Sequence, residues 1–477
     1  MGIKRNFLYS SILTTANYIF PMLTFPYVTR VLGPTNIGIC NFVDSIIHYF
    51  LLLSMLGIGV VGVREIAKAN NDQEKLSQVF SSLVVINLIT TAIALLILFI
   101  CIQYVPIFQA YRDMMWIGAL KILFNTLLIE WFFKGIENFK YITLRSIIVR
   151  TIYVASVFIF VRNKNDYDVY YLLMSLMIVI NAYFNISHSR NFVKFRISNI
   201  SFIPYLRPLL IMGFYGALTN LYTTFNTTYL GLVASETEVG YYSTATKLFT
   251  ILIALFTAFT GVMLPRMSSI LGEGKIDEFK RLLSQSVSIL FSFSIPLVLF
   301  TLIYAKEIVY IIAGDNFNGA VLPMQICLPL IIVIGYEQII IIQGLMAMGK
   351  NKAVFINSIF GAIVGITMCI LLMKPLKSIG ASIVWCCSEI AVLCSASIYI
   401  NKYLQIGFPY KLFFRYVFCH APLLIVLLLI HYILQNYLLS ITIAVFSTCI
   451  YVLVVQYHII KQPFIINKCR SIIAKIK

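Results

Sequence analysis

Eight charged side chains lie inside, or at the edge of, long apolar runs: Arg30, Asp44, Lys121, Glu130, Arg150, Lys247, Glu337 and Glu389. A charge at the centre of a bilayer costs about 2.5–3.5 kcal/mol, so such residues face a watery space or a partner. Arg30, Lys121, Arg150 and Lys247 are cations suited to an anionic head group, and an arginine can grip a phosphate through two parallel bonds. Asp44, Glu130, Glu337 and Glu389 are acids able to carry a proton or bind a coupling cation. Asp44 has His48 one turn on, a spacing at which the two could handle a proton together. Glu130 could form a plain helix-end pair with Lys134, or meet Arg150 on the next span. Lys121 and Glu130 point to opposite sides of one helix and cannot pair. Glu337 and Glu389 have no basic neighbour in sequence. Each has a bland counterpart: Arg30 could snorkel to the outer head groups, and Arg64 and Arg266 read as anchors of helix ends.

The elements that must position these groups are apolar helices. Apolar residues make up 60% of the chain and charged residues 11%, with a mean hydropathy of +0.91. A soluble domain carries about a quarter charged residues, so a soluble fold is excluded. A span needs ~20 mostly apolar residues, because in lipid the backbone must satisfy its own hydrogen bonds. That template gives an all-α polytopic membrane protein with about fourteen spans. They run over 7–29, 36–62, 79–104, 114–133, 146–162, 168–187, 208–233, 241–264, 283–304, 322–347, 354–373, 380–400, 416–434 and 439–458. The basic N-terminus before the first run has no small-x-small cleavage site, so it reads as an uncleaved span rather than a signal peptide.

Of the 36 Lys and Arg, 26 fall in segments on one side and seven on the other: Arg30, Arg112, Arg162, Lys164, Lys306, Lys374 and Lys377. The positive-inside rule then puts both termini in the cytoplasm. The net charge of +18 is a topology signal, and nucleic acid is not an expected partner. Cysteines are scattered through apolar runs with no C-x-x-C spacing and no Cys/His cluster, so neither disulfides, nor a metal, nor a cofactor is expected.

The chain repeats itself. Tyr27, Val31, Thr35 and Gly38 recur 202 residues on as Tyr229, Val233, Thr237 and Gly240, and Gly59–Val60 and Arg64 recur as Gly261–Val262 and Arg266. Six spans separate the halves. An even number keeps the orientation, so the repeat should be two like-oriented six-helix bundles, not an inverted pair. The expected division is 1–190 for the first bundle, 191–207 for a cytoplasmic linker, 208–402 for the second bundle, and 403–477 for an extra helix pair with a basic tail. The segments 70–80 and 272–283 look like short amphipathic surface helices.

Three motifs fall short. Gly344-Leu-Met-Ala-Met-Gly349-Lys350-Asn351 lacks the Ser/Thr of a phosphate-binding loop and follows no strand. Asp166-Tyr-Asp168 has the D-x-D form of a glycosyltransferase metal site, but lies in a cramped turn. Asn226-Thr-Thr228 is a glycosylation sequon inside an apolar run.

Several segments together carry a family resemblance: FPYVTRVLGPTNIGICNF (25–42), GVREIA (62–67), EWFFKGIENFKYITLRSII (130–148), VGYYSTATKL (239–248), LPRMSSIL (264–271), AKEIVYIIAGDNFNGAV (305–321) and QGLMAMGKNK (343–352). In these the chain resembles the bacterial polysaccharide flippases, the Wzx-type O-antigen and capsule transporters of the multidrug/oligosaccharidyl-lipid/polysaccharide exporter superfamily. The resemblance implies a transporter, not an enzyme. Its substrate would be an undecaprenyl-diphosphate-linked oligosaccharide, moved across the inner membrane by ion-coupled alternating access. Its partners would be membrane lipids and the glycan polymerase and chain-length machinery. Residues lining the cavity vary in that family, so no invariant site is carried over; Arg30 in TRVLGP is the best-matched position. Two alternatives stay open. A multidrug exporter of this fold should favour acids in its cavity, and a membrane glycosyltransferase or polymerase should display a sizeable outer loop.

Overall fold

The structure, a computed structural model, describes residues 3–196 and 200–460. Residues 197–199 of the expected linker and the basic tail at 461–477 lie outside the described residues, as does the side chain of Lys4. Every regular element among the described residues is helical. The chain divides into two compact units, 1–243 and 244–477.

The first unit holds α1 (Ile3–Met55), α2 (Ile58–Ala69), α3 (Gln73–Tyr104), α4 (Pro106–Ala110), α5 (Arg112–Leu127), α6 (Glu130–Gly135), α7 (Phe139–Phe160), α8 (Tyr167–Ser189) and α9 (Ile203–Val233). Next, α10 (Glu236–Gly272) starts in the first unit and continues into the second. The second unit adds α11 (Ile276–Ile303), α12 (Ala305–Ala313), α13 (Val321–Cys327), α14 (Leu330–Gln338), a π-helical stretch Ile339–Met346, α15 (Asn351–Leu404), α16 (Tyr410–Ile433) and α17 (Tyr437–Val454).

Nine of the described helices are long and apolar enough to cross a membrane, or eleven if each of two bent pairs is one span. This differs from the fourteen expected, partly because successive spans are joined without a loop. At 1.5 Å per residue, the 62-residue run Leu8–Ala69 is far longer than one bilayer crossing. It breaks at Gly33 (φ 75, ψ 174), a conformation that glycine adopts without a Cβ penalty, just before Pro34. The 54-residue α15 breaks likewise at Lys377, two residues after Pro375.

The segments expected as surface helices are instead the first turns of spanning helices. Asp72 caps α3, its Oδ1 accepting from the amides of Glu74 at 3.0 Å and Lys75 at 3.1 Å. The helix then runs unbroken to Tyr104, and α11 starts at Ile276 without a side-chain cap and runs to Ile303. Each amphipathic pattern marks where a helix emerges from the apolar layer.

Packing differs by place. Around α2 and α6, Trp131, Phe132 and Phe133 pack with Ile66, Phe80 and Leu83 into a buried aromatic and aliphatic core. Inside lipid, helices gain nothing from leaving water and associate through close packing and hydrogen bonds, worth about 0.6–2 kcal/mol each. The last helix pair docks this way: Ser288 meets Tyr416 at 2.8 Å, Ser292 donates to Gln456 at 3.2 Å, and Tyr304 meets Ser440 at 3.0 Å.

Candidate functional site

The repeat seen in sequence has a spatial counterpart. Thr35 Oγ1 lies 2.8 Å from Thr237 Oγ1, and Asn41 Nδ2 donates to Ser243 Oγ at 3.1 Å; in both pairs the partners are 202 residues apart. Residues related by a repeat that touch one another lie on its axis. A constant offset along the seam means that the two stretches run parallel. Gly38 and Gly240 make the close approach possible. A Cβ on Gly38 would meet the Glu236 carbonyl oxygen at 1.7 Å, and one on Gly240 would meet that of Pro34 at 2.0 Å. Tyr111 seals the flank by donating to Glu236 Oε1 at 2.5 Å. Further along α1, Thr228 donates to Ser45 at 2.8 Å, and His48 Nε2 lies 3.4 Å from Asn220 Oδ1.

The charges of the first unit are mostly partnered. Lys121 on α5 donates to Asp44 Oδ1 at 2.5 Å and lies over the Tyr171 ring, 4.3 Å from its centroid. Tyr171 donates to the same carboxylate oxygen at 3.3 Å. Lys121 is 3% exposed, whereas the Asp44 side chain is 41% exposed. The ammonium is thus the buried member and the carboxylate the accessible one. Asp44 pairs with Lys121 and not with His48, whose imidazole turns to Asn220; the one-turn spacing did not decide the partner.

Glu130 makes the expected contact to Lys134, at 3.5 Å. Its shorter bond, at 2.7 Å, goes to Arg145 and not to Arg150. Arg145 is buried and also donates to Asn185 and to Ser146. Arg150 lies a turn and a half deeper on α7, half-buried, with one guanidinium nitrogen enclosed and without a hydrogen-bond partner. Arg30 is exposed and donates from Nη1 to the Pro26 carbonyl at 2.9 Å, one turn back. Lys247 is exposed on the part of α10 that belongs to the second unit.

In the second unit, Glu337 on α14 and Glu389 on α15 lie near enough to act on each other. Trp385 Nε1, one turn before Glu389, donates to Glu389 Oε1 at 2.8 Å. Glu337 Oε2 is buried without a partner. Among the described residues no cation acts on either carboxyl. Sequence reasoning singled out both acids but not their contact, nor Trp385 and Arg145. For Trp385 the signal was its place one turn before Glu389; Arg145, on a different helix from Glu130, gave none.

The near-miss motifs have structural uses. Asp166 Oδ2 accepts from the amides of Arg162 and Asn163 at 2.8 and 2.7 Å, closing a turn. Asn226 is 1% exposed and donates to Tyr242 at 3.4 Å, out of reach of glycosylation. Gly344 lies in the π-helical stretch, and Lys350 lies over the Tyr403 ring at 4.6 Å. No group of three or more His, Cys, Asp or Glu suited to a metal occurs among the described residues.

Comparison with known proteins gives a consistent picture. A relative from Escherichia coli (strain K12), provisionally named an O-antigen transporter, is 26% identical over 399 residues, covering 82% of this chain and 95% of its own. A second from Shigella dysenteriae, of the same name, is 24% identical over 275 residues, 57% of this chain and 68% of its own. The fold matches the lipid II flippase MurJ in an inward closed conformation, with a TM-score of 0.77 at 14% identity, over 95% of this chain and 100% of that one. It also matches an inward-facing multidrug resistance MATE family transporter, with a TM-score of 0.62 at 13% identity, over 81% and 94% of the two chains. This is a multi-pass membrane protein with a transporter fold. A MatE family profile matches residues 212–371. Another, described as polysaccharide biosynthesis protein, matches residues 3–271, more than half of the 477-residue chain, and the chain belongs to that family.

Proposed function

We propose that this protein is a flippase that carries undecaprenyl-diphosphate-linked oligosaccharides from the inner to the outer leaflet of the bacterial inner membrane. The two repeat halves, 1–190 and 208–402, alternate access to the substrate, and both termini are cytoplasmic. The observation that carries the reading is the seam on which Thr35 meets Thr237 and Asn41 meets Ser243. Two parallel stretches, held by one glycine crossing and a few hydroxyl and amide bonds, can separate and rejoin at low cost. On the positive-inside orientation this seam lies at the outer end of the pathway, so its parting is the outward opening.

Arg30, Lys247, Lys121 and Arg150 supply the positive field that receives the diphosphate, and the sugars follow it through. Lys121 acts while paired to Asp44, so its share depends on the phosphate competing with that carboxylate. The multidrug reading is weakened by the same pairings. Asp44 and Glu130 are neutralised by Lys121 and by Arg145 with Lys134, which leaves those acids poor receptors for cationic drugs. The glycan polymerase and chain-length machinery are the expected downstream partners. Movement of one ion down its gradient biases the cycle, because a ligand shifts an equilibrium only by its differential affinity for the two states.

The test is Arg30→Ala combined with Lys247→Ala in a cell that requires the glycan. Surface glycan should fall at least about ten-fold, the equivalent of about 1.4 kcal/mol of lost substrate affinity. Wild-type glycan at normal expression would remove the cationic-site reading. A Thr35→Cys/Thr237→Cys pair should cross-link under oxidation and arrest export, with recovery on reduction.

A further inference from the structure

We propose that the inner face of the first unit carries a carbohydrate pocket, which reads an uncharged sugar ring of the substrate before the substrate crosses. The proposal rests on the flippase reading above and deepens it by placing sugar recognition away from the intramembrane charges.

Three connections on the side rich in Lys and Arg converge there: the α2–α3 turn, the α6–α7 turn and the residues after α8. Between them lies a cavity of about 470 Å³, lined by Asn70, Gln73, Glu137, Asn138, Asn191 and Phe192. All six belong to the first unit. Small-molecule sites span about 300–1,000 Å³, so the space suits a ligand of a few rings at most. On the positive-inside orientation this face is cytoplasmic, where a lipid-linked oligosaccharide would present its sugars.

The walls are fixed before any ligand arrives. After α8 the chain runs along α3, and the amides of Lys194 and Arg196 donate to Ser77 Oγ at 3.3 Å and Ser81 Oγ at 2.9 Å. An extended chain advances about 6.6 Å in two residues and a helix about 6 Å in four, so alternate amides meet serines one turn apart. Further on, the Ser201 amide donates to Ser82 Oγ at 3.1 Å. Arg196 adds an ion pair to Glu74 at 3.2 Å, and Gln73 Nε2 donates to the Phe192 carbonyl. The Phe192 ring packs edge-on against Phe132, Phe133 and His188. In the α6–α7 turn, Glu137 has φ 58, a left-handed conformation that strains a residue with a Cβ. Asn6 Nδ2 holds its carboxylate, donating to Oε2 at 3.1 Å. A site whose walls are already ordered loses less on binding.

The polar atoms left over define the ligand. Asn70 and Asn191 are exposed, and among the described residues their side-chain amides spend no hydrogen bond on the protein. Asn138 Oδ1 accepts from the Tyr141 amide at 3.4 Å, which leaves its Nδ2 to donate. Gln73 keeps Oε1 and Glu137 keeps its other oxygen as acceptors. Donors and acceptors are therefore mixed. A hydroxyl group both donates and accepts, and neighbouring hydroxyls on a ring match the N and O of one amide. Phe192, with Leu76 and Ile136, gives an apolar surface for the C–H face of the ring.

Other occupants fit less well. Among the described residues no Lys or Arg lines the cavity, so a phosphate would find no counter-charge. A metal ion would find one carboxylate, Glu137, partly spent on Asn6, and a hard cation gathers about six or more oxygen ligands.

The experiment is saturation-transfer NMR on the purified full chain in lipid nanodiscs. The probe is the oligosaccharide released by mild acid from the host cell's own carrier lipid, which then carries neither diphosphate nor tail. In the wild type, saturation should pass to protons of a sugar ring. Affinity should fall at least about five-fold in Asn70→Ala/Asn191→Ala, the equivalent of about 1 kcal/mol, and stay unchanged in Arg30→Ala/Lys247→Ala. If the double variant does not fold, Asn191→Leu, which keeps the size and removes the amide's bonds, gives the same reading. In cells at normal expression, the variant that loses binding should also lose surface glycan. A wild type that passes no saturation to the probe overturns the proposal. So does a double variant that binds it normally, displacement of the probe by inorganic phosphate, or normal surface glycan without binding. Failure of the pocket leaves the flippase reading intact. Normal surface glycan after disruption of the gene would remove that reading, whatever the pocket binds.

Discussion

In the first unit, acids inside the helices are matched to bases: Asp44 to Lys121, and Glu130 to Arg145 and Lys134. In the second unit Glu337 and Glu389 lie against each other, with the Trp385 indole donating to Glu389. The two arrangements respond in opposite ways to losing one member. A salt bridge within lipid needs both partners, since removing one strands a charge. Two adjacent carboxyls gain nothing from both being charged, so an uncharged mimic can replace either member. The first arrangement suits a fixed framework with a standing electrostatic field.

The comparison can be broken or sharpened by removing one acid at a time and following thermal unfolding of the purified protein. The largest effect should come from Asp44→Ala, which leaves the buried Lys121 ammonium without its anion and destabilises by about 3 kcal/mol. Adding Lys121→Met should recover most of that loss. If the single variant melts like the wild type, the ion pair does not hold the first unit together. A smaller cost, about 2 kcal/mol, is expected for Glu130→Ala, because Arg145 keeps its bonds to Asn185 and Ser146. Glu389→Gln should cost least, under about 1 kcal/mol, since the amide still accepts from Trp385 and can donate to Glu337. A Glu389→Gln variant less stable than Glu130→Ala would mean that the second pair is structural, and the contrast between the units would fail.

Much of the fold was legible in the residues. Apolar runs of bilayer length marked the helices, and Gly33–Pro34 marked the break within α1. Thr35, Gly38 and their counterparts at an offset of 202 announced a repeat whose equivalent residues do meet. The site was legible only in part. The eight charges stood out because each is costly in lipid, but the partners assigned from local spacing were mostly different ones. His48 is one turn from Asp44, yet the acid reaches Lys121, 77 residues away. By sequence Arg150 is as available to Glu130 as Arg145 is, and Arg145 takes it, because depth along α7 and its rotation decide which guanidinium arrives.

The sequence by itself determined that this is a multi-pass membrane protein of apolar helices, and which side chains had to find company inside it. Those are properties of composition and short-range periodicity, carried by each helix alone. Tertiary structure alone decided whether a given charge met an opposite charge, as Asp44 does, or its own kind, as Glu337 does. Pairing between helices depends on their relative rotation and depth to within a few ångströms, and packing sets those quantities only when the whole chain is assembled.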